Sequence, residues 1–399
     1  MKAKTTYYLN RSIMGLAFNM MFTATALYRI DIAQLEIYQL ILIGTAMELA
    51  IFFFEIPTGV VADVKSRRTS IIMGIFIIGI ATIVEALTPY FLMIFVAQVI
   101  WGFGYTFISG ALQSWVSDET QEKNLNKTII TGSQFYTVAS IIGILGAALI
   151  GKTDIRIALY GSAGIVMILG VINMFFMTEK HFIKTPHQET MWKTYIHQFS
   201  KGLKHIRRHR VLSVMMVILL FFGLYSEGID RTYEIHILND LDFRTLIDLS
   251  PIWILSIINA LIVVLGFILM QLTKRYIKED YHMISWLMVF TMTMIIGILL
   301  FGFLPLPYLA VGGFLIFHMA REASSPLLDI VVIKHTPSQI KATVLSTFGQ
   351  IDAIGQILSG GIMVIIGLTL DIKMLYLASA LLLVVPVVLF PKTKEIKYS

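Results

Sequence analysis

Ionisable side chains interrupt runs that are otherwise apolar. Glu48 and Glu55, seven residues apart, stand in the run that starts at Ile37. His318, Arg321 and Glu322 break the run from Leu306, and Asp352 stands in the run from Lys341. A charged side chain within hydrocarbon costs about 3 kcal/mol or more, so its default reading is an ion or substrate pathway. At about 1.5 Å per residue, Glu48 and Asp352 fall near the middle of their runs. A carboxylate in low dielectric holds a proton more readily than in water. That suits a group that loads a proton on one side and releases it on the other. Proton coupling is expected of Glu48 and Asp352 first, then of Glu322 and Glu55, with Arg321 discharging Asp352 or Glu322 by pairing. The competing reading is a static buried ion pair that fixes helix register.

Polar and aromatic residues at similar depth are expected to wall a substrate cavity: Asn19, Gln98, Trp101, Tyr105, Gln134, Tyr136, Tyr225, Asn259 and Gln350. Aromatic rings stack on flat or cationic molecules, although Tyr and Trp also serve at membrane interfaces. An anionic substrate would need a cavity arginine, and Arg321 is the intramembrane candidate. Glu227, Asp230, Arg231 and Glu234 share a helical face and read as a wetted helix end, with an extracellular gate as the alternative, and Glu227 and Arg231 are spaced for an i, i+4 pair. Glu85 reads the same way.

Other chemistries are poorly supported. The chain has no cysteine, so thiolate metal sites and cysteine nucleophiles are excluded. His205 and His209 at i, i+4 lack a third ligand in the sequence; no metal or other cofactor is expected. Gly146 to Thr153 reads GAALIGKT, matching the phosphate-loop pattern, but its first six residues end an apolar run where a strand would be required. No compact catalytic constellation is present, so an enzyme is not expected.

These residues need elements that cross a membrane. The 399 residues are 57% hydrophobic and only 14% charged, against about 25% charged in a soluble domain. Twelve runs approach the ~20 residues that span a bilayer, starting near Tyr8, Ile37, Thr69, Tyr90, Thr128, Arg156, Val211, Leu249, His282, Leu306, Lys341 and Asp371. Of 31 Lys and Arg, 24 fall at the termini or in alternate loops, six opposite them, and Arg321 within a span. The positive-inside rule then puts both termini in the cytoplasm of a cell with a plasma (inner) membrane. Basic charge dispersed between apolar runs argues against nucleic acid as a partner.

The expected fold is all-α and polytopic, with twelve transmembrane helices in two six-helix bundles. Residues 1–178 form an N-terminal bundle, 179–210 a cytoplasmic basic connector, and 211–399 a C-terminal bundle with a short cytoplasmic tail. In the connector, Trp192, Tyr195, Ile196, Phe199, Leu203 and Ile206 make one apolar helical face flanked by Lys193, Lys201, Lys204, Arg207, Arg208 and Arg210. Such a helix is expected to lie on a bilayer with anionic cytoplasmic headgroups.

Between the second and third runs stands GVVADVKSRR, Gly59 to Arg68. It resembles the major facilitator superfamily signature G-x-x-x-D-x-x-G-R-[RK]. Gly59, Asp63, Arg67 and Arg68 match, and Ser66 replaces a glycine. Gly59 is expected to allow tight helix contact. The resemblance implies a conformational latch, with Arg67 and Arg68 pairing with Asp118 or Glu119. The run FEIPTGVVAD, Phe54 to Asp63, looks most like bacterial drug-efflux members. Departures concern antiport: Gln98 stands where drug–proton antiporters carry arginine, Trp101 replaces a glutamine, and the fifth span keeps Gly143, Gly146 and Gly151 but no proline.

The expected function is secondary active transport: proton-coupled export of amphipathic, drug-like small molecules by alternating access, conferring multidrug resistance as an antiporter. The alternatives are an exporter or proton symporter for one endogenous metabolite or siderophore, and a non-coupled facilitator. The expected partners are a small-molecule substrate, protons and lipid. A monomer is expected.

Overall fold

A computed structural model describes residues 2–121, 125–182, 191–276, 280–337 and 340–394. Side chains at 191–198, among them Trp192, Lys193, Tyr195 and Ile196 of the expected connector face, lie outside the described set. The apolar runs become helices because lipid offers the backbone no hydrogen-bond partner. No strand occurs among the described residues.

In chain order, α1 (Ala3–Leu27) continues through a π turn (Tyr28–Ile32) and is followed by α2 (Ile37–Val64) and α3 (Arg67–Leu87). Then come α4 (Phe91–Thr106), α5 (Ala111–Thr120), α6 (Leu125–Gly151), α7 (Ile155–Phe176) and α8 (Met191–Arg208). Next is α9 (Arg210–Asp230), prolonged by the short α10 (Tyr233–Ile235) and a π turn (His236–Asp240). The remaining helices are α11 (Phe243–Leu246), α12 (Pro251–Tyr276), α13 (Asp280–Phe303), α14 (Pro307–Lys334), α15 (Lys341–Thr369), α16 (Ile372–Leu389) and α17 (Pro391–Lys394).

Eleven of the described helical segments are long and apolar enough to cross a membrane. The 28-residue α14 is long enough to be a twelfth, but His318, Arg321 and Glu322 lower its hydropathy. Short polar connections set the helix starts. The Ser66, Asp154 and Asp371 side chains accept from the backbone N–H of Thr69, Arg156 and Lys373 at the N-termini of α3, α7 and α16, each satisfying a donor the helix leaves open. Gly146 to Gly151 are the last turns of α6.

The chain divides into two compact units. The first is Met1–Glu36, Ala46–Lys193 and Leu249–Ala260; the second is Ile37–Thr45, Thr194–Asp248 and Leu261–Ser399. The start of α2 therefore groups with the second unit, and the start of α12 with the first. In the first unit α1 packs on α6 and α7, and α3 on α4 and α7. In the second, α9 packs on α15 and α16, and α13 on α14 and α16. The pairings match helix for helix, so the units repeat one packing plan that sequence similarity barely shows.

Glycines make the closest of these approaches. A Cβ on Gly15 would lie 2.4 Å from the Tyr136 carbonyl oxygen, and one on Gly143 would lie 2.0 Å from that of Leu16, between α1 and α6. Between α9 and α15, a Cβ on Gly223 would lie 2.2 Å from the Asp352 oxygen and one on Gly355 would lie 2.4 Å from that of Leu220. Small residues let helix backbones meet where lipid supplies no hydrophobic drive. Gly59 is different: nothing lies within 4 Å of a Cβ built there, which corrects its expected role in tight contact.

Candidate functional site

Each unit contains a polar cavity on the repeated helices. In the second unit, α9, α14 and α15 enclose about 470 Å³, lined among others by Tyr225, Arg321, Asp329, Phe348, Asp352 and Gln356. Arg321 donates from both terminal nitrogens to Asp230, at 2.5 and 2.8 Å. Its guanidinium also stands 5.7 Å from the Tyr225 ring centroid. Asp352 accepts from Gln356 Nε2 at 2.8 Å, one turn along α15.

This corrects the expected partner of Arg321, which is Asp230 and neither Asp352 nor Glu322. The reason is the length of the seventh span. Helical structure continues past Asp230 to Asp240, so Asp230 is drawn into the span beside α14 and is no wetted end. Glu227 is 2% exposed and accepts from Arg231 Nε at 3.2 Å, as its spacing predicts. Glu322 lies beside Gly266 of α12, 3.0 Å from a Cβ built there, and is not in the cavity lining. His318 is wedged between Phe314 and Phe317, with ring centroids at 4.5 and 4.8 Å, and its buried Nε2 has no hydrogen-bond partner.

In the first unit, α1, α4, α5 and α6 enclose about 300 Å³, lined by residues including Tyr7, Arg11, Tyr105, Ser109, Gln113 and Tyr136. Here the span expected to run unbroken from Tyr90 is split. Gly110 takes φ +70° between α4 and α5, a left-handed conformation that glycine adopts at little cost. The break puts Ser109 and Gly110 on the cavity wall. The Arg11 guanidinium stands 4.5 Å over the Tyr136 ring. Asn19 donates to Ser140 Oγ at 2.8 Å and to the Tyr136 hydroxyl at 3.4 Å. Trp101 stacks on Tyr105 at 5.5 Å and 10°, with Phe18 and Phe22 packed against its other edges. Glu48 is half-buried on α2, and both it and Glu55 interact electrostatically with the Tyr105 phenol. Ser109 donates to Glu55 at 3.4 Å.

Tyr105, Tyr136 and Tyr225 thus line cavities, while Asn19 and Trp101 back them. Gln98 is occupied elsewhere: it donates to Glu85 Oε2 at 2.6 Å, while Arg29 Nε donates to Glu85 Oε1 at 2.8 Å. Glu85 is 2% exposed, which overturns its reading as a wetted helix end. Asn259 and Gln350 do not appear in either lining. Sequence reasoning missed Arg11 and Asp329. Arg11 falls among the 24 cations placed at the termini and alternate loops, and its position within the run that starts near Tyr8 is the signal the sequence carries.

The signature residues pack within the first unit. Arg67 pairs with Asp118, donates to the Ser114 carbonyl at 2.9 Å, and lies 3.6 Å from Asp63. Arg68 departs from expectation. Its side chain donates to the Met174 carbonyl at 2.5 Å, and its backbone N–H to Glu179 at 3.0 Å. Glu119 accepts from the backbone of Lys180 and His181. Described residues of α8 also depart from a helix laid wholly on lipid. Ile206 is completely buried, and a Cβ on Gly202 would lie 2.1 Å from Thr347 Oγ1, while Lys201, Lys204, Arg207 and Arg208 are exposed.

The model of the Major Facilitator Superfamily matches residues 5–360. The chain belongs to the major facilitator superfamily. It is 26% identical over 402 residues to "Uncharacterized MFS-type transporter YxaM" of Bacillus subtilis (strain 168), covering 98% of this chain and 96% of that protein. Its fold resembles crystal structures of the nucleoside transporter NupG, one of them a variant that superposes at TM-score 0.81 with 15% identity, over 98% of this chain and 100% of that one. A POT family transporter in complex with a thioalcohol conjugated peptide gives TM-score 0.75 and 14% identity, over 99% and 96%. As a superfamily member, the chain is a multi-pass integral membrane transporter of small molecules and not an enzyme.

Proposed function

We propose that this transporter exports amphipathic small molecules, drug-like in character, across a bacterial plasma membrane by proton-coupled alternating access. One observation carries this reading. Asp352 stands on the wall of a 470 Å³ cavity with Gln356 as its hydrogen-bond partner and with no cation paired to it among the described residues. The nearby Arg321 is engaged by Asp230 in both of its terminal nitrogens. A carboxylate open to a cavity and unneutralised by a fixed cation takes up and gives back a proton as the cavity changes its access. Glu48, with Glu55 one face along α2, is the corresponding acid of the first unit, and Glu322 is a further one. Tyr225 and Phe348 beside Asp352 offer aromatic faces to an amphipathic substrate.

In this reading both termini are cytoplasmic, the protein works as a monomer, and the exposed cations of α8 meet anionic headgroups. The Asp63–Arg67–Asp118 cluster, with Gly59 and Arg68 beside it, acts as the conformational latch.

The test is made in proteoliposomes that enclose a pH dye, under an imposed pH gradient, with amphipathic cations, neutral aromatics and anions added in turn. Substrate-triggered proton movement is expected in the wild type and lost in Asp352→Asn. Saturable counterflow of substrate with no proton movement under any gradient would sink proton coupling and leave a facilitator.

A further inference from the structure

We infer that the first-unit cavity is a binding subsite for the negatively charged group of an aromatic organic acid, with Arg11 as its anchor. This deepens the reading of the chain as a small-molecule transporter and rests on it. The argument starts from the charge balance of the arginines in the helices. Arg29 is paired with Glu85, Arg67 with Asp118, Arg231 with Glu227, and Arg321 with Asp230, whereas Arg68 and Arg156, like Arg11, carry a buried Nε without a hydrogen-bond partner; of these three, Arg11 is the one that lines either cavity described above. Arg11 has no carboxylate partner among the described residues. Its contact is the Tyr136 ring face at 4.5 Å, and its buried Nε has no hydrogen-bond partner. A half-buried cation held this way lacks a counter-ion, and an incoming anion supplies one.

The surroundings fit such a ligand. Tyr7, Tyr105 and Tyr136 all feel the Arg11 charge and all line the same space of about 300 Å³. Gln113 adds an amide to the wall. Glu48 and Glu55 stand on α2 outside its lining, and Ser109 donates to Glu55. Phe18 and Tyr105 add aromatic surface to the same wall, with the buried Trp101 stacked behind Tyr105. The volume is at the lower end of ligand pockets, which selects a single-ring acid. The second-unit cavity is unsuited to the same group, because Asp329 and Asp352 line it and Asp230 already holds its arginine.

The test compares three isosteric probes on the full chain in phosphatidylcholine nanodiscs: phenylacetate, phenylacetamide and phenethylammonium. Binding is read by isothermal calorimetry. The wild type is expected to bind phenylacetate about 10-fold or more tightly than either analogue. Arg11→Gln is expected to weaken phenylacetate by roughly 10- to 100-fold and to leave phenylacetamide within about two-fold. Preference for the cation, equal binding of all three probes, or no binding of phenylacetate to the wild type overturns the inference without any variant. Unchanged phenylacetate binding in a folded Arg11→Gln protein overturns it too. Failure of the transport reading is separate: Arg11-dependent binding would persist while counterflow and proton movement are both absent from proteoliposomes.

Discussion

Arg11 and Arg321 carry the same guanidinium in opposite states of compensation. Arg321 is held by two charge-assisted hydrogen bonds to Asp230, a geometry in which arginine is at its strongest. Both partners are partly buried, at 31% and 26% side-chain exposure, so removing one strands the other. Arg321→Met and Asp230→Asn are each expected to cost about 1–3 kcal/mol, discounted from a fully buried pair for that exposure. The double variant is expected to recover at least about half of the loss, because neither charge is then left alone. Thermal unfolding in detergent, followed by tryptophan fluorescence, checks this cycle; additive losses would mean the two side chains act independently. At the same scale, neutralising Arg11 removes a cation that no described carboxylate balances, so its effect is expected in ligand binding and little in stability.

At the scale of elements, α8 joins the second unit through its described half. His209, at the start of α9, packs its ring on His335 after α14 at 5.7 Å. Burial, then His335 and His205, hold the His209 imidazole below its ordinary value of 6.5. The folded state therefore prefers this imidazole neutral, while the unfolded chain protonates it near its ordinary value. The contribution is complete above that value and is lost as pH falls below it toward the depressed value. The thermal midpoint is expected to fall between about pH 7.5 and about pH 5.5, and His209→Gln to flatten that slope. An identical slope in the variant would assign the pH response to other groups. The sequence offered His205 and His209 alone; His335 joins them only because α14 ends beside the α8–α9 junction.

At the scale of the whole molecule, two units repeat one set of helix pairings, and this repetition makes a matched prediction. Gly143→Val and Gly355→Val each force a side chain against a facing carbonyl, that of Leu16 at 2.0 Å and that of Leu220 at 2.4 Å. Both are expected to lower folded yield on size-exclusion chromatography by several-fold, since backbone does not yield as a flexible side chain does. Gly164→Ala meets nothing within 4 Å and is expected to behave as wild type. A tolerated Gly355→Val would mean that the second unit does not depend on this approach. The membrane spans, their starts within a few residues, the family motif and the mid-span acids were all legible in the chain, because hydrocarbon thickness and the cost of buried charge act on each segment locally. Partnership was not legible, because a helix face carries no mark of which neighbour it meets. Arg321 chose Asp230, Glu85 found Arg29 and Gln98, Gly59 met nothing, and Arg11 left the terminus for a cavity. By itself the sequence determined that the chain crosses a membrane and belongs with carriers. Only the tertiary structure decided which charges are neutralised and which remain for a ligand, since that depends on side chains brought together from helices far apart in the chain.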